Sequence, residues 1–219
     1  MDERSGHFAR GDRMPQKLKD EVRDRIVEAA GTVFAEQGFT AARLADVAER
    51  AGISTGNIYK YFEDKEALFN AIVTAPIAAR LLRLLRARLR EFERLDRWEG
   101  ATASGSEAAR ALLSFWIDHR LAVLILLRGG RGTRFERVRT MMINEMERLA
   151  SAYAEKKEGD DALSPPARFV LHKVFARTVD MIADILEAHQ DPQAIQQAVA
   201  VFWRYQLAGL QALLNPGPR

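Results

Sequence analysis

The chain has 219 residues, 47% hydrophobic and 29% charged, a balance that suits one large globular domain or a small one joined to a larger. Cysteine is absent, which excludes disulfide frameworks, thiol nucleophiles and cysteine-bound metals. The net charge of +3 permits nucleic-acid binding without arguing for it, because residues 1–65 hold 11 Lys and Arg against 12 Asp and Glu and phosphate contacts depend on local placement.

The opening residues, MDERSGHFARGDRMPQK, are polar and lack the apolar core of a secretory leader. The longest apolar stretch, Ala111 to Leu127, is interrupted by Asp118-His119-Arg120 and is too short and too charged for a bilayer span. A soluble, cytoplasmic protein is expected. Residues 1–16 read as a flexible arm, whose Arg10 and Arg13, with Lys17, are either solvated or enter a minor groove.

A first helix is predicted over Leu18–Gln37, with Leu18, Val22, Ile26, Ala29, Ala30, Val33 and Phe34 at helical spacing and Gly38 as its terminator. A second fits Ala42–Ala51, with Leu44, Val47 and Ala48 inward, Ala45 small enough for close packing and Gly52 at its end. A third fits Thr55–Phe62, with Ser54 as N-cap. Asp64 caps a fourth, with Glu66 near its positive end. Beyond Pro76 the pattern stays helical: an Arg- and Leu-rich helix over 77–97, a loop over Gly100–Gly105, and one apolar helix over 107–127. Gly129-Gly130-Arg131-Gly132 reads as a helix-helix turn, since a phosphate-binding loop would need a Lys and a preceding strand. Thr133 opens a helix to about Lys157, 158–166 is a linker, and two helices over 167–189 and 192–214 end the chain, the last capped by Asp191 with Pro192 following. The expected fold is all-α, with a three-helix DNA-binding unit over 17–65 and a helical bundle over 66–219.

The chemistry concentrates in GFTAARLADVAERAGISTGNIYKYFEDKEALF, residues 38–69. Two short helices joined by three or four residues with Gly at the turn make a helix-turn-helix: the first braces on the phosphate backbone and the second enters the major groove. Ser54, Thr55, Gly56, Asn57 and Tyr59 offer hydroxyls, an amide and bare backbone where base edges and phosphates lie. Gly56 lets the helix approach without side-chain obstruction. Phe62 is read as core.

The ordered set Phe34-Ala35-Glu36-Gln37-Gly38-Phe39, Asp46-Val47-Ala48, Ala51-Gly52-Ile53-Ser54, Gly56-Asn57-Ile58-Tyr59, Tyr61-Phe62 and Lys65-Glu66-Ala67-Leu68 resembles the TetR family of bacterial regulators, over roughly residues 18–70. The resemblance implies DNA contacts at Arg43, Ser54, Thr55, Gly56, Tyr59, Tyr61 and Lys65. Tyr59 and Tyr61 would sit at phosphates, as would Lys65 from the start of the fourth helix, so that removing Lys65 lowers the salt slope of binding by about one. The chain departs from the family at Ala42-Arg43, where Thr or Ser pairs usually open the second helix. A hydroxyl cap is lost there, and Arg43 offers a longer-reaching phosphate contact.

The resemblance also implies a dimeric repressor on a palindromic operator, released by a small-molecule effector. From the residues, the dimer is expected through the last two helices: Phe169, Phe175, Val179, Ile182, Ile185 and Leu186 stripe one, and Ile195, Val199, Phe202, Tyr205, Leu210 and Leu213 the other. An effector pocket is expected along 107–127, with Trp116, His119, Arg120, Met142, Glu145 and His172 as candidate lining residues and Phe115, Arg128, Arg131, Met141 and Arg177 beside them. No cofactor or metal is expected, since His119 and His172 lack partners at ligand spacing. Two rival readings are an all-α enzyme using His119, Glu145 or His172, and a membrane-surface or partner-binding adaptor built on Arg80, Arg83, Arg86, Arg88 and Arg90.

Overall fold

A computed structural model describes residues 16–94, 105–158 and 163–214, and every regular element among them is a helix. Arg10 and Arg13 and most of the Gly100–Gly105 loop lie outside the described residues; Lys17 is exposed on the first helix. In chain order the helices are α1 (Gln16–Ala41), α2 (Leu44–Ala51), α3 (Thr55–Ile58), α4 (Lys65–Asn70), α5 (Ala75–Glu93), α6 (Glu107–Asp118), α7 (Arg120–Leu127), α8 (Val138–Glu158), α9 (Pro165–Ala188) and α10 (Pro192–Leu214). Side-chain caps close several N-termini as the sequence predicts: Asp64 accepts from Ala67 N at 2.6 Å and Asp191 from Ala194 N at 2.8 Å.

Several boundaries differ from the sequence reading. The second helix starts at Leu44, after Arg43, and not at Ala42. The third helix closes at Ile58 and continues as tighter turns, with Tyr61 N donating to Ile58 O at 2.9 Å; Ser54 precedes it without a side-chain cap bond. The single helix expected over 107–127 breaks at His119 (φ −120°, ψ 35°) into α6 and α7. Thr133 opens no helix: its hydroxyl donates to Gly130 O at 2.6 Å and accepts from Phe135 N at 3.1 Å, closing a loop, and α8 starts at Val138.

Gly38 (φ 78°, ψ 164°) ends the straight part of α1. Its neighbour Phe39 then turns into an aromatic cluster, 5.1 Å from the Phe69 ring and 5.9 Å from Phe34, while Phe69 stacks on Phe135 at 6.3 Å. The cluster joins α1, α4 and the turn after α7. That turn, Gly129–Gly132, is the helix-helix turn the sequence suggests, and it also docks on the end of α1. Phe39 N donates to Arg131 O at 2.8 Å and Arg131 Nη2 to Glu36 O at 3.0 Å. A side chain on Gly132 (φ 77°) would strike Thr40. Further back on α1, a Cβ at Gly31 would lie 2.6 Å from Leu121, so glycine lets α7 lie close against α1.

Lys65, expected at a phosphate, is turned inward. Its ammonium donates to the carbonyls of Phe39 (2.8 Å), Ala42 (3.0 Å) and Thr40 (3.4 Å) and lies 4.7 Å from the Phe39 ring centroid. Three donors meet the carbonyls that the break at Gly38 leaves without helical partners. The segment Lys65–Glu93 is apolar enough by length and mean hydropathy to cross a membrane, yet Leu68, Phe69, Val73, Leu81 and Leu85 are buried in the core.

Replacing Lys65 by Met should therefore destabilise the fold by about 2 kcal/mol, the scale of charge-assisted hydrogen bonds lost from a partly buried site. Urea unfolding measures this, and the same variant should keep the wild-type salt slope of DNA binding. An unchanged unfolding midpoint with a slope lower by one would return Lys65 to the phosphate.

Candidate nucleic-acid interface

α2 and α3 are joined by Gly52, Ile53 and Ser54. Gly52 takes the left-handed conformation (φ 66°, ψ 38°), and Ile53 N reaches back to Ala48 O at 3.0 Å. This is the helix stop that lets the chain reverse within three residues. Val47, Ala48 and Ile58 are buried and lock the two helices together, with Leu44 partly buried beside them. Ala45, expected to assist that packing, faces outward.

The outer surface of α3 carries most of the predicted set. Ser54 and Gly56 are exposed, Thr55 and Asn57 half-buried, and Tyr59 is 56% exposed. With no cap bond to make, the Ser54 hydroxyl is open to the outside. A Cβ at Gly56 would meet nothing within 4 Å, so internal packing does not require glycine there. Tyr61 is half-buried against the core, a poorer reach than the sequence implies. Lys60 is exposed between the two tyrosines and was missed by sequence reasoning, which had only the YKYF pattern and no facing information.

Arg43 stands at the mouth of α2 with its side chain 77% exposed. Its guanidinium forks onto Asp46, Nη2 to Oδ1 at 2.9 Å and Nε to Oδ2 at 3.3 Å. The hydrogen bond from Arg43 holds the Asp46 carboxyl below the usual carboxylate range. The pair stands in for the missing hydroxyl cap, placing a carboxylate in the first turn. On the α1 side, the Arg23 guanidinium lies 5.5 Å from the Phe62 ring centroid, bringing a cation beside the end of the α3 turns.

The six predicted pocket residues are not brought together. Trp116 is buried and lines a small cavity with Arg88, Leu112 and Trp203. Met142 is buried in the core. His119 sits at the α6–α7 break, its ring 4.6 Å from Phe115. Arg120 pairs with Glu28 of α1 and donates to Leu186 O at 2.6 Å. Glu145 accepts from Arg86 at 2.7 Å, and exposed His172 Nδ1 lies 2.6 Å from Glu147. Of the neighbours, Arg128 pairs with Asp184 and Glu187, and Met141 and Arg177 are exposed.

Those positions also weigh against both rivals. His119, Glu145 and His172 share no site, and among the described residues no three His, Cys, Asp or Glu cluster as metal ligands. The arginine run is not one continuous free cationic face: Arg86 pairs with Glu145 and Arg88 is buried against Glu91 at 2.8 Å, which leaves Arg80, Arg83 and Arg90 exposed.

The family model for bacterial regulatory proteins, tetR family, matches residues 26–72. The chain is 38% identical over 61 residues to the HTH-type transcriptional regulator YfiR of Bacillus subtilis, covering 28% of this chain and 30% of that protein. It is 36% identical over 69 residues to the HTH-type transcriptional activator FasR of Mycolicibacterium smegmatis, 32% of this chain and 30% of that protein. A solved TetR-family transcriptional regulator from Mesorhizobium loti aligns over 87% of this chain and 96% of its own at 16% identity, with a TM-score of 0.43. The matches to these first curated relatives span less than a third of their length and bear on the N-terminal unit. Residues 26–72 are therefore a DNA-binding unit of the type found in the TetR family of bacterial regulatory proteins.

Proposed function

We propose that the chain is a cytoplasmic repressor that binds a palindromic operator as a homodimer and releases it when a small-molecule effector enters the C-terminal bundle. The carrying observation is the exposed surface of α3, where Ser54, Gly56 and Tyr59 face outward on a short helix whose Ile58, like Val47 of α2, is buried in the core. Gly56 has no internal packing reason, which fits a partner surface approaching closely. In this reading Ser54, Thr55 and Asn57 meet base edges, while Arg43, Tyr59, Lys60 and Tyr61 meet phosphates.

One recognition helix reads half a site, so the operator needs two copies about 34 Å apart. The face that supports pairing lies on α9 and α10 and uses only part of the stripes the sequence suggested, Phe169, Phe202, Tyr205 and Leu213. Phe175, Val179, Ile182, Ile185, Leu186, Ile195, Val199 and Leu210 are buried in the protomer's own core. Phe169, Val170, Met181, Val201 and Tyr205 stay exposed, Tyr205 at 76%. All but Val201 line a groove shared with Phe202, Gly209 and Leu213. Gly209 sits inside α10 with open space around it, where glycine costs about 1 kcal/mol relative to alanine. A second helix crossing close at that point explains it.

Release requires a link from bundle to α1. Arg120 supplies one: it holds Glu28 of α1 and the Leu186 carbonyl of α9, and Gln190 donates to the same Glu28 at 3.1 Å. A shift of α9 relative to α1 must disturb this node, and the effector acts by favouring the shifted conformer.

Selection of duplexes from a random pool should return an inverted repeat, and a pool without one overturns the dimeric-operator reading. Tyr59→Ala and Lys60→Ala should each weaken binding to specific and random duplexes alike, Lys60→Ala also lowering the salt slope by about one. Tyr205→Glu should yield a folded monomer by light scattering; a dimer at micromolar concentration would place the interface elsewhere. Glu28→Gln should leave the fold intact and reduce the drop in DNA affinity that effector causes. A full effector response would remove Arg120 from the coupling.

A further inference from the structure

Among the described residues, three buried side-chain donors find no acceptor: Trp116 Nε1, Trp203 Nε1 and Gln206 Nε2. Trp116 and Gln206 are only 5% and 7% exposed. Cores rarely leave such groups unmatched, because each carries its full desolvation cost. The three are not scattered. All belong to residues lining two interior cavities behind α10. One, of about 40 Å³, lies among Leu89, Phe92, Met146, Phe175 and Gln206. The other, of about 20 Å³, lies among Arg88, Leu112, Trp116 and Val199. Trp203 lines both.

Resting on the effector-sensing reading above, we propose that these two cavities form one ligand site, for a neutral, mostly apolar molecule whose polar atoms are acceptors only: a ketone, ester or lactone. The walls are hydrocarbon and aromatic, and the orphan groups are all donors. Other polar groups nearby are already matched: Thr178 Oγ1 donates to Val174 O at 2.9 Å, and Arg88 to Glu91 at 2.8 Å and to Ser106 at 3.0 Å. Burial pushes the Glu91 carboxyl up, but hydrogen bonds from Ser106 and Arg88 outweigh it and keep Glu91 charged. A carboxylate ligand would therefore add an unmatched charge to a site already neutral. The two cavities together hold only a few water-sized groups, so the ligand must displace the Trp203 ring that lies between them. That displacement reaches the outer groove, because Gln206 and Leu210 line both the inner cavity and the groove on the far side of α10.

The test is a titration of full-length protein with 15N-labelled indoles against 2-octanone, methyl heptanoate, octanoate and octane, with no DNA present. Single Trp→Phe variants assign the three indole N–H signals. The ketone and ester should move the Trp116 or Trp203 proton downfield and saturate. The ketone should bind about tenfold tighter than octane, and octanoate more weakly than the ester. Gln206→Met and Trp116→Phe keep bulk while removing donors, so the ketone's preference over octane should fall toward one in both. Equal binding of ketone and octane, a preference that survives both variants, or indole signals that none of the four compounds moves would overturn the proposal; the last result means internal water already serves the donors. A ketone that binds here yet leaves operator affinity unchanged refutes effector release and leaves the site standing.

Discussion

The C-terminal end of α1 is the constraint on which the rest depends. A helix that stops leaves carbonyls without partners, and here it stops in the middle of the protein, where the DNA-binding unit meets the bundle. Gly38 turns the backbone where a side chain would meet Arg131. Lys65 reaches from α4 to satisfy the carbonyls of Phe39, Thr40 and Ala42, and Arg131 answers both the Phe39 amide and the Glu36 carbonyl. One break in one helix thereby fixes α2, α4 and the turn after α7 to each other. The aromatic cluster of Phe34, Phe39, Phe69 and Phe135 then packs the rings of these elements against one another at the junction.

From this junction, α7 carries the connection into the bundle. Its residues 122–127 are fully buried, and arginines along and after it reach across to α9. Arg120 takes the Leu186 carbonyl, Arg128 takes Asp184 and Glu187, and Arg139 on α8 takes Asp180 at 2.9 Å. Because the Arg120 guanidinium also holds Glu28, α1 and α9 share a single charged node. Such partly buried pairs contribute modestly to net stability, but removing one partner strands a charge. They serve better as registration points between elements than as a source of stability.

α10 is two-sided in a way that ties the two proposals to one element. Its inner face packs Ile195, Val199 and Leu207 into the core beside the hollow that holds the orphan donors. Its outer face shows Val201, Tyr205 and Gly209 to solvent. A ligand that moves Trp203 acts on the same helix that would set the distance between two protomers. Packed helices respond to such insertion by shifting as units, since close-packed interiors transmit strain.

Sequence by itself determined the helical architecture and the DNA-binding unit. Those depend on local rules: the 3.6-residue period, Gly38 and Gly52 at helix ends, and Asp64 and Asp191 as caps. All act within a few residues, so they are legible in order along the chain. What only the tertiary structure decided involves partners distant in sequence. It turned Lys65 from a phosphate toward carbonyls more than 20 residues away, and it drew Arg120 to Glu28 across the domain joint. It also dispersed the six expected pocket residues, of which only Trp116 meets the hollow. The α9–α10 stripes show why. Every apolar position on a helix is written alike, and only packing decides which of them face the protomer's own core. The exposed remainder, Phe169, Met181, Val201 and Tyr205, is visible only once that core has been filled.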